Sequence, residues 1–340
     1  MRRNTANRRR QPTTCLAALA TITILVTGCG GSTRAPTVAV SAPSVLPVGV
    51  SFHPPSTSAA PTNTNDNCDA VASLRPLAPL PAPGNMPPGS FMAKIEQAGH
   101  LTAGVDQSTF LWAYRDPQTG QLSGFDIDML HRVSQAIFGD PNRIRFVVVP
   151  NSERIPAVRS GAVDIVAETM TINCARRQLV DFSTVYYSAG QRILAPVDSH
   201  VTGPSSLAGK RVCATSGSTS IQNLQTLKVK PSVKAVAAAN QADCLVLLQQ
   251  GQVDAISTDD TILQGLAAQD PNVQLVGRAF TAEPYGMAIS KAHPDFVAFV
   301  NAVLARERAD GTWAAIYKRW LGRFDGGRVP TPPAPTYSGR

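Results

Sequence analysis

From residue 101 onward, short β-branched runs alternate with amphipathic segments of helical period, and this alternation restricts the fold more than any other feature. Candidate strands fall at 101–105, 144–149, 164–168, 192–195, 211–214, 233–236, 255–257 and 287–290. Between them, apolar residues recur at helical spacing over 125–138, 154–160, 218–227, 241–250, 294–310 and 312–321. Such alternation predicts an α/β architecture with mainly parallel sheets. One junction occurs twice. Val158-Arg159-Ser160-Gly161-Ala162-Val163-Asp164-Ile165 parallels Leu248-Gln249-Gln250-Gly251-Gln252-Val253-Asp254-Ala255. Each is a helix end, a Gly cap and a strand opened by Asp, as two related α/β lobes would produce.

The N-terminus has a different character. The first ten residues hold five Arg and no acid, and an apolar run follows over 15–26. Twelve residues are too few to span a bilayer as a helix, which takes about 20. A charged start, a short apolar stretch and a small-residue end form a signal peptide, assigned to 1–28. It closes on Val26-Thr27-Gly28-Cys29, similar to a bacterial lipobox, so Cys29 is the expected lipidation site and the membrane anchor. Removing 1–28 takes away five Arg and lowers the formal charge from +8 to +3. The basicity therefore belongs to the leader, and a nucleic-acid partner is excluded on that ground.

Residues 30–66 are rich in Ser, Thr, Pro and Ala and nearly uncharged. Such a stretch buries too little apolar surface to offset its ordering entropy. It is expected to be a flexible tether with a reach on the order of 35 Å. The Pro-rich stretch 76–89 is expected to wrap the surface in extended form, so 29–89 forms one N-terminal region ahead of the domain. Of six Cys, Cys15 leaves with the leader and Cys29 is the lipid site, which leaves Cys68, Cys174, Cys213 and Cys244. Outside the cytoplasm four Cys favour disulfides, in one of three pairings. Cys213 and Cys244 fall together in the second lobe, so the expected bridges are Cys213–Cys244 and Cys68–Cys174. No CxxC or His spacing accompanies them, so no metal site is expected.

The motifs between 99 and 320 carry a resemblance. They are GVDQSTFLWAY, GFDIDML, an Arg-x3-Val-x2-Gly-x2-Asp stretch at 154–164, TMTINCAR, VDFSTVYYSAGQRILA, LAGKRVCATSGST, GQVDAISTDD, YGMAISK and DGTWAAIYKRWLG. In this order they resemble the bacterial extracellular solute-binding proteins of family 3, the polar amino-acid class of glutamine/glutamate-binding type, which serve ABC importers. The resemblance implies a two-lobe, periplasmic-binding-protein-like (type II) fold that closes on ligand about two hinge strands. Mapped here, lobe 1 is 90–195 plus 286–324, lobe 2 with its hinges is 196–285, and 325–340 is a C-terminal tail.

The resemblance also assigns residues. Arg176 matches the Arg that clamps the ligand α-carboxylate, a role suited to a planar, always charged fork. Thr169 and Thr171 match the polar first-lobe loop. Asp259 matches the acid that pairs with the α-ammonium, with Asp260 as the structural alternative capping the next helix. Ser218 and Thr219 open a second-lobe helix whose N-terminus suits a carboxylate. Arg154 matches the Arg that meets a ligand side-chain carboxylate in glutamate/aspartate binders. Arg192 is expected to face the cleft from the lobe-1 edge. Asp106 matches glutamine-type binders and keeps amide ligands open. Trp112, with Phe110 and Tyr114, could supply an aromatic wall. Glutamate, aspartate, glutamine and asparagine all stay open as ligand. The output is either delivery to an ABC permease or a report of occupancy to a transmembrane sensor. No cofactor is implied, and a monomer is expected. None of the five His sits in a cleft motif, and no Ser-His-Asp or paired-carboxylate signature is present, so a binder rather than an enzyme is expected.

Overall fold

In a computed structural model of the chain, residues 46–54 and 68–338 are described. The expected leader, the Cys29 lipidation site and most of the tether lie outside the described residues. The duplicated junction proves to be one structural device used twice. Gly161 and Gly251 both take the left-handed conformation, at φ +75° and +65°, which ends each helix without a Cβ penalty. Three residues later an Asp opens a strand. The Asp164 N–H donates to the Thr102 carbonyl (2.8 Å), and its Oδ2 accepts from the Thr102 N–H (2.8 Å). Asp254 repeats both bonds with Arg211, at 2.8 and 2.7 Å.

Two five-stranded sheets result. The first runs Ile144–Val148, Leu101–Val105, Ile165–Val166, Ala288–Ile289, Asp181–Phe182. The second runs Lys234–Ala238, Arg211–Thr215, Ala255–Asp259, Gln191–Pro196, Val273–Val276. In each, the first three strands are parallel and the fourth is antiparallel to both neighbours. In each, that fourth strand arrives from the other lobe. The two crossing segments, Tyr187–Ala189 and Glu283–Tyr285, pair antiparallel with each other and form the hinge.

This corrects the expected lobe boundary. The strand over 192–195 was assigned to lobe 1, but Gln191–Pro196 is the fourth strand of the second sheet. Strand propensity is local, whereas sheet membership is decided by which open edge the crossing chain meets. Alternate residues then cover both faces of each sheet. Leu101, Ala103, Val105 and Ile165 face one apolar cluster while Val147, Val149 and Val166 face another. In the second sheet Cys213, Val236 and Ile256 face one side, and Val212, Ala237 and Ala255 the other.

Both expected disulfides are present. Cys68–Cys174 has Cα atoms 5.9 Å apart, and Cys213–Cys244 has them 5.6 Å apart. The first pins the N-terminal stretch to lobe 1. There Arg177, which reads as a plain surface cation, donates to the carbonyls of Ala70 and Ala72. The Pro-rich stretch follows along the long helix Pro294–Asp310, with the Leu77 N–H donating to the Ala298 carbonyl (2.9 Å). Ser73 also pairs with the C-terminal tail through Thr336 and Ser338.

A second correction concerns the tether. Residues 46–54 fall inside it, yet Ser51 exchanges two backbone hydrogen bonds with Ala237, both 2.8 Å. Val50 and Phe52 pack against the second-lobe core. The reason is the edge strand Lys234–Ala238, whose outer N–H and C=O groups lack a neighbour and accept an added extended segment.

Candidate ligand-binding site

The first-lobe wall is the loop that leaves strand Ile165–Val166. Thr169 holds φ +42°, a strained value for a β-branched residue. Its N–H donates to Asp126 Oδ2 (2.9 Å), and the Tyr186 hydroxyl donates to Asp126 Oδ1 (2.7 Å). Burial pushes the Asp126 carboxyl up to about 7, against the lowering effect of these two bonds. Downstream, Asn173 caps the short helix Cys174–Arg177 by accepting the Arg176 N–H (2.9 Å). The cap aims the Arg176 guanidinium back along the loop, where Nη1 donates to the Thr171 carbonyl (2.6 Å).

The second-lobe wall consists of two strand ends. Strand Arg211–Thr215 turns at Ser216 and Gly217 into the helix Thr219–Thr226, and Ser218 caps it by accepting the Ile221 N–H (3.1 Å). The first N–H groups of a helix have no carbonyl one turn back, and here Ser218, Thr219 and Ser220 line the cleft. Strand Ala255–Asp259 ends on Asp259, the residue before helix Asp260–Ala267. Asp259 Oδ2 accepts from the Tyr285 hydroxyl (2.5 Å), while Oδ1 is buried without a partner among the described residues. Burial, with Glu283 adding repulsion, pushes Asp259 up to about 8. Asp260 bonds the N–H groups of Gly190 and Thr261 instead.

These walls enclose a small polar cavity. Arg154, Thr169, Thr171 and Arg176 line it from the first lobe, and Ser218, Thr219 and Asp259 from the second. The lobes are drawn together across it. Gly217 O accepts from Arg176 Nη2 (3.2 Å) and Arg154 Nη2 (3.4 Å), and Asn151 Nδ2 donates to Thr215 Oγ1 (3.1 Å). Gly217 fits because it has no Cβ: one would lie 2.7 Å from the Ser152 Cα, and its φ of +74° favours glycine as well.

Charge is sorted within the cavity. Burial and the neighbouring Arg154 push Arg176 down to about 9, while Glu283 and Asp259 hold it up, so the guanidinium stays charged at neutral pH. Arg176 and a helix N-terminus offer positive potential, while Asp259 and Glu283 offer carboxyl oxygens to a cation, Asp259 giving up its proton when an ammonium lies beside it. A cavity with both poles in low dielectric suits a small zwitterion. Arg154 is more committed than its sequence suggests: its three nitrogens donate to the carbonyls of Asn151, Glu168 and Gly217.

Three expected residues are not brought to the cavity wall. Asp106 accepts the hydroxyls of Ser108 and Thr109 in its own turn. Trp112 is fully buried against Phe125, Tyr187 and Tyr285, because an aromatic plane packs equally well in a core. Arg192 follows its strand into the second sheet, opposite Thr258. Residues missed from sequence also appear. Asn151, Gln241 and Thr258 line the cavity, and Glu283 lies behind it, bonded to both Thr171 and Thr219. Asn151, Gln241 and Glu283 carry no sequence signal of their own.

Comparison with known proteins bears on the family and the fold. Residues 101–323 match the family described as bacterial extracellular solute-binding proteins, family 3. The chain is 36% identical over 231 residues to the ABC transporter glutamine-binding protein GlnH of Bacillus subtilis (strain 168), covering 68% of this chain and 84% of that one. It is 39% identical over 201 residues to the glutamine-binding protein of Geobacillus stearothermophilus, covering 59% and 76%. Among solved structures it is similar to the solute receptor for L-cysteine of Neisseria gonorrhoeae, with TM-score 0.66, 25% identity, and 70% and 96% of the two chains covered.

Proposed function

Because the chain belongs to the bacterial extracellular solute-binding proteins, family 3, we propose that it captures a polar amino acid outside the cytoplasm for an ABC importer. The observation that carries this reading is the opposition of Arg176 to Asp259 across a cavity walled by both lobes. Arg176 and the N-terminus of helix Thr219–Thr226 take the α-carboxylate, and Asp259 takes the α-ammonium. Asn151, Gln241 and Thr258 are uncharged, which supports an amide side chain beside the acidic ones. The ligand is then one of glutamine, glutamate, asparagine or aspartate, and the glutamine-binding relatives favour the first. Lipidation at Cys29 would hold the protein, as a monomer, at the outer face of the membrane beside its permease.

A thermal-shift screen of the purified protein against the twenty amino acids tests the reading. A ligand at 100 times its Kd stabilises by about 2.7 kcal/mol. Shifts confined to glutamine, glutamate, asparagine and aspartate are expected. No shift with any amino acid refutes capture.

A further inference from the structure

Glu283 sits on the crossing strand Glu283–Tyr285, 3% exposed, and receives a bond from each lobe. Its Oε2 accepts the Thr171 hydroxyl from the first lobe (2.7 Å) and the Thr219 hydroxyl from the second (2.9 Å). Its Oε1 accepts from Thr281 Oγ1 (2.6 Å) and Asn223 Nδ2 (3.3 Å). A carboxylate only accepts, and a threonine hydroxyl has a single hydrogen. Both hydrogens are therefore directed to Glu283. The two threonine oxygens lie 3.4 Å apart, and neither has a hydrogen left for the other. What the side chains of Thr171 and Thr219 turn toward the cavity is lone pairs alone.

We infer that Glu283 is a positioning residue that fixes Thr171 and Thr219 as acceptors and so sets which end of the cavity receives the ligand's ammonium; this rests on the amino-acid reading above. An ammonium has three donors and no acceptor. It is matched by the two threonine oxygens and the unpartnered Oδ1 of Asp259. The ligand carboxylate finds no hydroxyl donor there and is directed to Arg176 and the backbone N–H groups of the helix N-terminus. Because one oxygen of Glu283 holds a hydroxyl from each lobe, the full acceptor set exists only when the lobes are together. Polarity and closure are thereby coupled through one side chain on the hinge.

The test is a mutant cycle read by calorimetry with L-glutamine and L-glutamate, with thermal unfolding as the check on folding. E283Q keeps one acceptor oxygen, turns the other into a donor and removes the charge, so the carboxylate that both hydroxyls address is lost and affinity is expected to fall ~10-fold or more, the size of a lost charge-assisted hydrogen bond. Thr171→Val with Thr219→Val removes both hydroxyls and should lower affinity similarly. In that valine background E283Q should change affinity less than about twofold, since coupled neighbours are not additive. In a Thr171→Ser, Thr219→Ser background, which restores both hydroxyls, the full effect of E283Q should return. An unchanged affinity in E283Q alone, or the same loss in the valine background, overturns the inference. If E283Q does not fold, the serine and valine pairs decide: equal affinities overturn it, and a loss confined to valine supports it. Wild-type protein that binds neither these two ligands nor asparagine nor aspartate removes the amino-acid reading itself, and the inference with it.

Discussion

Gly265→Ala should make the protein more stable and a weaker binder at the same time. Gly265 lies in the second-lobe helix Asp260–Ala267. The nearest atoms an added Cβ would meet belong to Phe110 of the first lobe, at 2.6 Å for its carbonyl oxygen, 3.4 Å for the carbonyl carbon and 3.6 Å for its Cβ. A carbon–oxygen contact needs ~3.3 Å, so the lobes must part by roughly 0.7 Å at that point. Backbone oxygen cannot rotate away as a side chain can. Overpacking of this kind costs ~1–3 kcal/mol, and it falls on the closed state alone. Affinity should drop ~5- to 150-fold. Within the helix, Ala in place of Gly gains ~1 kcal/mol, which in a domain of this size raises Tm by ~2–4 °C. Calorimetry and ligand-free thermal unfolding read the two effects separately. Unchanged affinity would show that the Gly265–Phe110 approach is not part of closure. A fall in both Tm and affinity would show that the substitution damages the lobe itself.

Five further outcomes follow from the same geometry. Burial pushes Asp126 up to about 7, and Asp259 and Glu307 each to about 8, while unfolded carboxyls titrate near pH 4. Between those limits the folded state holds more protons, so ligand-free stability should fall from about pH 5 to about pH 8; urea midpoints that rise over this window contradict it. Ligand ammonium beside Asp259 favours the carboxylate, so binding at neutral pH should release protons, which calorimetry in buffers of unlike ionisation heat detects. Arg176→Ala should lower amino-acid affinity by ~2–5 kcal/mol. Arg154→Ala should weaken acidic and amide ligands alike, because its guanidinium is held by three carbonyls; a loss confined to acidic ligands in calorimetry would restore a side-chain-reading role. Replacing Cys213 and Cys244 by Ala opens a loop with sequence separation 31 and should cost about 3–4 kcal/mol, read from chemical unfolding against the oxidised wild type.

Much of this fold is legible because its signals are short-range. The helix Phe125–Phe138 and the strands Leu101–Val105 and Arg211–Thr215 announce themselves by period and β-branching. Asp181–Phe182 has two residues and the hinge strands have three each, too few for a period to register. The site divides the same way. Arg176, Thr171 and Asp259 are expected from sequence because the motifs TMTINCAR and GQVDAISTDD resemble the ligand loops of the family, and all three line the cavity. Glu283 is not, since its two threonine partners lie 112 and 64 residues away. Trp112 was expected at the ligand's aromatic wall, but its packing against Tyr187 and Tyr285 puts it in the core.

By itself the chain determined the repeating device of the lobes. Gly161 and Gly251 must end helices, and Asp164 and Asp254 must open strands, because backbone sterics and hydrogen-bond reach act within a few residues. It also pointed to the cysteine pairing that the structure shows. Tertiary structure decided which sheet receives Gln191–Pro196, that Val50 and Phe52 cap an edge strand, and that Arg154 serves carbonyls from both lobes. Above all it decided the polarity of the cavity. Hydroxyl direction and carboxyl ionisation depend on burial and on partners from three separate parts of the chain, and these come within bonding distance only when the two lobes close on the hinge.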